Sequence, residues 1–215
     1  LALATDYDNT LATDGRVSDR ARDALERLRS SGRRTLLVTG RRIEDLLVLC
    51  DCLELFDYVV AENGALLYQP ATQVTELLAE APPEAFVEAL RSRKVQPLEI
   101  GEVIVATHAP QEMRVLGAIQ ELGLELQLIF NLDAVMVLPP GVNKASGTKV
   151  ALRKLGMSPH QMVAIGDAEN DHSLMRLAEC PVAVSNAVDS IKSIAAFVTD
   201  APAGDGVIEV IDGLM

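Results

Sequence analysis

The chain has 215 residues, 49% of them hydrophobic and 23% charged, a balance that belongs to a folded globular protein and excludes a disordered one. Its 31 acidic and 19 basic residues leave a formal charge of −12. That charge excludes nucleic acid and anionic membrane surfaces as main partners, because both require clustered Lys and Arg. An acidic chain still binds a small phosphate where a metal ion reverses the local charge.

At about 100–200 residues per domain, the length suits one full domain and a modest second one. Cys50, Cys52 and Cys180 are too few and too odd in number for a disulfide framework, and they point to a reducing, cytoplasmic setting. No Cys or His pair lies near Cys50 and Cys52 to complete a metal site, so both read as buried thiols. No apolar run approaches the ~20 residues that span a membrane. Leu1–Thr5 is too short for a signal-peptide core, and the missing initiator Met points to a trimmed chain or a domain of a longer one.

Leu1–Thr5 is a short apolar run that delivers Asp6-Tyr7-Asp8-Asn9-Thr10, the pattern of a buried strand ending in a polar loop. Ser18 is placed to cap a helix and Gly32 to follow its end, with Ala21, Ala24, Leu25 and Leu28 forming one apolar stripe. Thr35–Val38 is a second strand, ending in Thr39-Gly40-Arg41, followed by a helix over about 43–52. Tyr58–Ala61 is a third, ending in Glu62-Asn63-Gly64. Unbroken apolar strands alternating with helices predict a parallel sheet covered on both faces.

After about Gln69 the rhythm changes and prolines punctuate the chain. Strands are expected at Val103–Thr107, Gln127–Phe130 and Ala134–Leu138, and helices at about 84–93 and 111–122. This predicts a compact α+β insertion over 77–138, closed by Pro139-Pro140-Gly141. The α/β rhythm returns with a helix at about 146–155 and a strand at Val163–Ile165 that ends in Gly166-Asp167-Ala168-Glu169-Asn170-Asp171. A short strand at Val182–Val184, a helix from about Val188 and a strand near Phe197–Thr199 complete the series.

Open parallel sheets bind ligands at the carboxyl ends of their strands, so the polar segments that end these strands should converge. Asp6 and Asp8, at i and i+2 of an extended segment, point to one side. Asp167 and Asp171 share a face at a helix start. If all four meet, their mutual repulsion calls for a divalent cation, and an all-oxygen donor set selects Mg²⁺ over zinc. Asp6 is ionised at neutral pH and suits a nucleophile that forms an aspartyl-phosphate, and Asp8 suits the acid/base role beside it. Thr39 and Gly40 offer a hydroxyl and open backbone N–H groups to a phosphate, and Lys144, just before a helix, can neutralise both phosphate and Asp6. Lys149 is the rival lysine but falls inside that helix.

These segments resemble the haloacid dehalogenase superfamily of phosphohydrolases. Asp6-Tyr7-Asp8-Asn9-Thr10 is similar to its D-x-D-x-T motif, with Asn9 where Gly is usual. Val38-Thr39-Gly40-Arg41 is similar to the second motif, Lys144 to the third-motif lysine, and Gly166-Asp167-x-x-Asn170-Asp171 to the fourth. The fourth-motif form, Glu62-Asn63-Gly64-Ala65 and the small insertion resemble the branch with a C2 cap, among them phosphoglycolate and sucrose-phosphate phosphatases.

The resemblance implies a Rossmann-like core over 1–76 and 139–215 with an α+β cap over 77–138. It implies Asp6 as nucleophile and metal ligand, and Asp8 as acid/base with its backbone carbonyl on the metal. Asp167 and Asp171 would complete the Mg²⁺ site, with Thr39, Gly40, Lys144 and Asn170 around the phosphate. The substrate would be a small phosphorylated metabolite, such as a sugar phosphate or phosphoglycolate. A phosphomutase of the same superfamily, or a phosphometabolite-sensing module without catalysis, are the alternatives. Arg41 and Arg42 read as surface arginines opening a helix. Glu62 and Asn63 either line the pocket floor or form a turn. His108, Arg114, Asn131, His160 and His172 read as surface or packing residues, and Asp205 as part of a turn.

Overall fold

A computed structural model describes all 215 residues. The expected α/β fold is present, built on two sheets. The larger sheet opens with β1 (Ala2–Thr5), fully buried between its neighbours. α1 (Asp19–Ser30) follows, with the Ser18 hydroxyl accepting from the Ala21 N–H and the expected Ala21, Ala24, Leu25 and Leu28 stripe buried. β2 (Arg34–Val38) pairs parallel to β1, and β3 (Tyr58–Ala61) parallel to β2, with α2 (Ile43–Leu49) between them. α2 stops short of Cys52; a separate 3₁₀ turn covers Leu53–Leu55.

Three strands escaped the sequence reading, one in the insertion (Glu99–Ile100) and two on the large sheet. β4 (Leu66–Gln69) and β5 (Val74–Leu77) form an antiparallel hairpin on the outer edge of β3. All four β5 residues are exposed, so no apolar alternation marks it. The insertion then carries α3 (Glu84–Ser92), β6 (Glu99–Ile100), β7 (Val105–His108), α4 (Glu112–Leu122), β8 (Gln127–Asn131) and β9 (Ala134–Leu138). Its strands form an antiparallel sheet in the order β6-β7-β9-β8. β7 begins two residues later than expected, because the amides of residues 102–104 turn away to another partner described below.

α5 (Lys144–Lys154) returns the chain to the large sheet and starts earlier than expected, since Asn143 and Ser146 cap it reciprocally. β10 (Met162–Gly166) pairs parallel to β1 on the side opposite β2. α6 (His172–Leu177), β11 (Cys180–Ala183), α7 (Asp189–Lys192), β12 (Phe197–Val198) and α8 (Ala203–Leu214) complete the chain. The large sheet runs β12-β11-β10-β1-β2-β3-β4-β5, parallel as far as β3. Asp205 lies in the first turn of α8 and pairs with Arg20, so it belongs to a helix rather than to the turn expected. No helix is long and apolar enough to cross a membrane.

One apolar core runs through both segments of the large sheet. The insertion has its own core where α3 and α4 cover one face of the small sheet around Phe86, Leu90 and Val115. The other face, through Met136 and Ile129, joins Ile104 and Val103 in packing on Ala65 and Val142. α5 sits unusually close to the end of β3. A Cβ on Gly64, at φ +105°, would stand 1.9 Å from the Asn143 carbonyl oxygen, and one on Gly147 would stand 2.8 Å from the Gly64 Cα. Only glycine permits both the backbone angle and the contact. Gly64→Ala should therefore lower the unfolding free energy by about 3 kcal/mol, read from urea denaturation.

Candidate active site

Two strand ends and one helix start supply the centre of the site. Asp6 follows β1 directly, its N–H donating to the Ile165 carbonyl of β10 at 2.9 Å. Asp167 follows β10, and Asp171 folds back from the next turn so that its Oδ2 accepts the N–H groups of Asp167 at 3.0 Å and Ala168 at 3.2 Å. Gly166 makes that fold-back possible, since a Cβ there would lie 2.6 Å from the Asp171 Cγ. Lys144, the first residue of α5, extends its ammonium between two of these carboxylates. Its Nζ lies 2.6 Å from Asp6 Oδ1 and 2.6 Å from Asp171 Oδ1, and its side chain is 1% exposed. Thr10 donates to Asp167 Oδ1 at 2.9 Å.

Asp6, Asp167 and Asp171 are all buried, with one oxygen of each within 4.8 Å of the others. Three carboxylates against one ammonium leave two formal negative charges in a buried site. The cost appears as a shift in proton affinity. Burial, then the charge of Asp171, push the Asp6 carboxyl well above its usual range despite the pull of Lys144. Burial and Asp171 push Asp167 up to about 6. Burial works against the Lys144 charge, but Asp171 and Asp6 outweigh it and hold the ammonium more firmly than usual. One oxygen each of Asp6 and Asp167 accepts from no N–H or O–H group of the chain. An all-oxygen set with surplus negative charge and free lone pairs fits a hard divalent cation.

Asp8 does not join this cluster, so the four aspartates do not meet as the i, i+2 spacing predicts. The strand ends at Thr5, and beyond it the chain turns. The Asp8 carboxylate is instead held by Arg41 in a two-pronged ion pair, Nε to Oδ2 at 2.7 Å and Nη2 to Oδ1 at 2.7 Å. Arg41 is thus no simple surface arginine: it is half-buried, with its guanidinium carbon 5.8 Å from the centre of the Tyr7 ring. Its place directly after Thr39-Gly40 was the available signal. Arg42 turns outward to Asp45 at 2.7 Å.

Thr39, Gly40 and Asn170 do come together. The Thr39 hydroxyl oxygen accepts the Arg41 N–H at 3.1 Å, and a Cβ on Gly40 would lie 3.6 Å from Asn170 Nδ2 and 3.2 Å from Met136 Sδ of the insertion. Asn170 Nδ2 donates to Asn63 Oδ1 at 3.2 Å, and the Asn63 N–H donates to the Thr39 carbonyl. Both asparagines are buried, and Asn63 Nδ2 and Asn170 Oδ1 have no partner. Buried amide atoms without partners beside an open backbone loop suit an absent polar ligand.

Glu62, left between two roles by the sequence, meets neither the carboxylate cluster nor Asp8. Its buried side chain accepts from three backbone N–H groups of the insertion. Lys149 is exposed on α5, His108 pairs with Asp133, His160 with Glu179, and Arg114 donates to the Lys94 carbonyl. Cys50 and Cys52 are buried with their sulfurs 3.6 Å apart.

A doubly wound sheet with this carboxylate–lysine cluster at its strand ends defines the class of protein. A family model described as haloacid dehalogenase-like hydrolase matches residues 3–114 and 120–211, and the chain belongs to that family. It is 31% identical to a phosphoglycolate phosphatase of Haloarcula marismortui, over 97% of this chain and 95% of that protein. It is 28% identical to phosphoglycolate phosphatase 2 of Saccharolobus solfataricus, over 100% of this chain and 92% of that one. A haloacid dehalogenase-like hydrolase from Bacteroides thetaiotaomicron has the same fold, with a TM-score of 0.81 at 20% identity over 100% of this chain and 99% of that one. The protein is accordingly a phosphatase of that family.

Removing the lysine should expose how much the cluster depends on it. Lys144→Met should lower stability by about 3–5 kcal/mol in urea denaturation, because it strands two buried carboxylates. Adding Asp171→Asn to that variant should recover part of the loss.

Proposed function

We propose that the protein is a Mg²⁺-dependent phosphomonoester hydrolase that works through an aspartyl-phosphate on Asp6, with 1–76 and 139–215 as the catalytic core and 77–138 as a cap. The observation that carries this reading is the cluster of Asp6, Asp167 and Asp171 around the Lys144 ammonium, with an Asp6 oxygen left free. Asp6, Asp167 and Asp171, with the Asp8 backbone carbonyl, would hold the metal ion, which when bound offsets the phosphate's negative charge. Lys144 adds its own positive charge to the same end and pulls against the burial that raises the proton affinity of Asp6.

The chain's residues then divide the chemistry. The Thr39 hydroxyl, the open backbone at Gly40 and the unpartnered Asn170–Asn63 amides hold the phosphoryl oxygens. The free Asp6 oxygen attacks phosphorus, forming an aspartyl-phosphate while the ester P–O bond breaks. Once out of the Arg41 fork and protonated from solvent, Asp8 gives that proton to the departing oxygen, then removes one from water, which attacks phosphorus and releases orthophosphate with Asp6 restored and Asp8 protonated again. Asp8 must leave the Arg41 fork to reach the ester oxygen, and the freed guanidinium suits an anionic leaving group. That match, and relatives called phosphoglycolate phosphatases along nearly the whole chain, favour a small phosphorylated hydroxy acid such as phosphoglycolate, ahead of a sugar phosphate. Free thiols at all three cysteines support a cytoplasmic setting.

Phosphate release from a panel of phosphorylated hydroxy acids and sugars tests this. Release should need Mg²⁺ and should fall by about 10³-fold or more in Asp6→Asn. Turnover that survives either chelation or Asp6→Asn would overturn the mechanism. In the same samples, Mg²⁺ at 100 times its Kd should stabilise the fold by about 2.7 kcal/mol, read from the melting temperature.

A further inference from the structure

The buried carboxylate of Glu62 does not take part in the proposed chemistry, and its partners lie in the cap. Glu62 Oε1 accepts the N–H of Glu102 at 2.9 Å, and Oε2 accepts those of Val103 at 2.8 Å and Ile104 at 2.9 Å. Three consecutive amides converging on one carboxylate form a backbone anion nest, here filled by a side chain of the core. The nest is moulded to it: a Cβ on Gly101 would lie 2.6 Å from Oε1. Glu62 is 1% exposed, so these charge-assisted bonds are shielded from water.

Its backbone is held just as firmly. Glu62 stands at φ +49° and Asn63 at φ +54°, a left-handed conformation that non-glycine residues adopt at a cost. The Glu62 N–H donates to the Arg41 carbonyl at 2.9 Å, and the Asn63 N–H to the Thr39 carbonyl at 2.9 Å. The carboxylate is therefore anchored to the loop that carries Thr39, Gly40 and Arg41. At the other end of the tie, Val103 and Ile104 pack with Ala65, Val142 and Met136. Met136 is the cap residue that reaches Gly40. The other polar ties between cap and core are Arg42 Nη1 to the Ile100 carbonyl at 3.2 Å, the Leu132 N–H to Glu169 Oε2 at 3.2 Å, Gln127 Nε2 to the Pro139 and Val142 carbonyls, and the Leu78 N–H to the Ala65 carbonyl at 2.8 Å, and none of them seats a buried carboxylate.

We propose that Glu62 is a positioning residue: its carboxylate, seated in the amides of residues 102–104, fixes the cap over the Thr39–Gly40 loop so that Met136 closes the phosphate site. The proposal rests on the hydrolase reading above. Closure excludes water and holds the leaving group near Asp8, so its loss should weigh on substrates whose leaving oxygen needs a proton. Acetyl phosphate is the contrasting probe, because acetate is small and leaves without one.

The test uses Glu62→Gln and Glu62→Ala in the full chain with Mg²⁺, with phosphoglycolate and β-glycerophosphate as alkyl esters and acetyl phosphate as control. In Glu62→Ala, kcat/KM for the alkyl esters should fall about tenfold or more, and that for acetyl phosphate by less than about threefold, as expected from the loss of one charge-assisted tie. Glu62→Gln keeps an acceptor and should fall between. Hydrogen exchange should show the amides of residues 102–104 losing protection in both variants while β1 and β10 keep theirs. Equal losses on both kinds of substrate, or unchanged alkyl-ester turnover with those amides released, would overturn the proposal. So would amides that stay protected without the carboxylate. If Glu62→Ala does not fold, the Gln variant carries the same comparison. A native protein that hydrolyses none of the three substrates would count against the hydrolase reading instead, and the exchange data would still judge the tie.

Discussion

The Lys144 ammonium, lodged between Asp6 and Asp171, is the contact on which the site depends. A buried cation is tolerated only where acceptors surround it, and buried carboxylates only where donors do. Each of the three therefore requires the other two in place. That requirement reaches into the backbone. β10 must lie beside β1 to bring Asp171 to Asp6, and α5 must sit hard against the end of β3 to deliver the lysine. Gly64, Gly147 and Gly166 are the positions where a single methyl group would push these elements apart. The surplus negative charge that remains destabilises the bare protein locally, and it is also what would draw a cation and then a phosphate into place.

The left-handed turn at Glu62-Asn63-Gly64 joins the other parts to this centre. Its three residues face three ways: the first into the insertion, the second to Thr39 and Asn170, the third onto the start of α5. Strained backbone of this kind persists where several independent contacts hold it. Here those contacts are the Thr39–Gly40 loop, the start of α5 and the insertion. Arg41 links the same turn to Asp8 through its backbone carbonyl and its guanidinium.

Much of this arrangement was legible in the sequence, because it is expressed in local patterns. Apolar strands ending in Asp6, Thr39 and Asp167, a Ser18 cap and an Asn170-Asp171 pair are read within a few residues. Convergence of strand ends in a parallel sheet then places them together. What stayed hidden depends on partners far along the chain. The role of Glu62 is set by amides 40–42 residues away, and backbone amides carry no sequence signature. Asp8 was expected beside Asp6 because extended spacing was assumed to continue past Thr5, whereas the chain turns and Arg41 captures it. β5 hid because it is an exposed edge, and the alternation that betrays a strand requires one buried face.

The position of β10 has a consequence for how the polypeptide is made. β1 emerges from the ribosome well ahead of its neighbour on one side, Met162–Gly166, which lies on the far side of the whole insertion. At translation speeds of 5–20 residues per second, that edge of β1 waits roughly 10–30 s for its partner. During the wait the nascent chain presents a bare apolar strand edge and an Asp6 without Lys144, while the insertion, whose contacts are local, is free to fold first. The insertion thus separates the protein's birth into two stages, and it is in the interval between them that chaperone binding or misassembly would act.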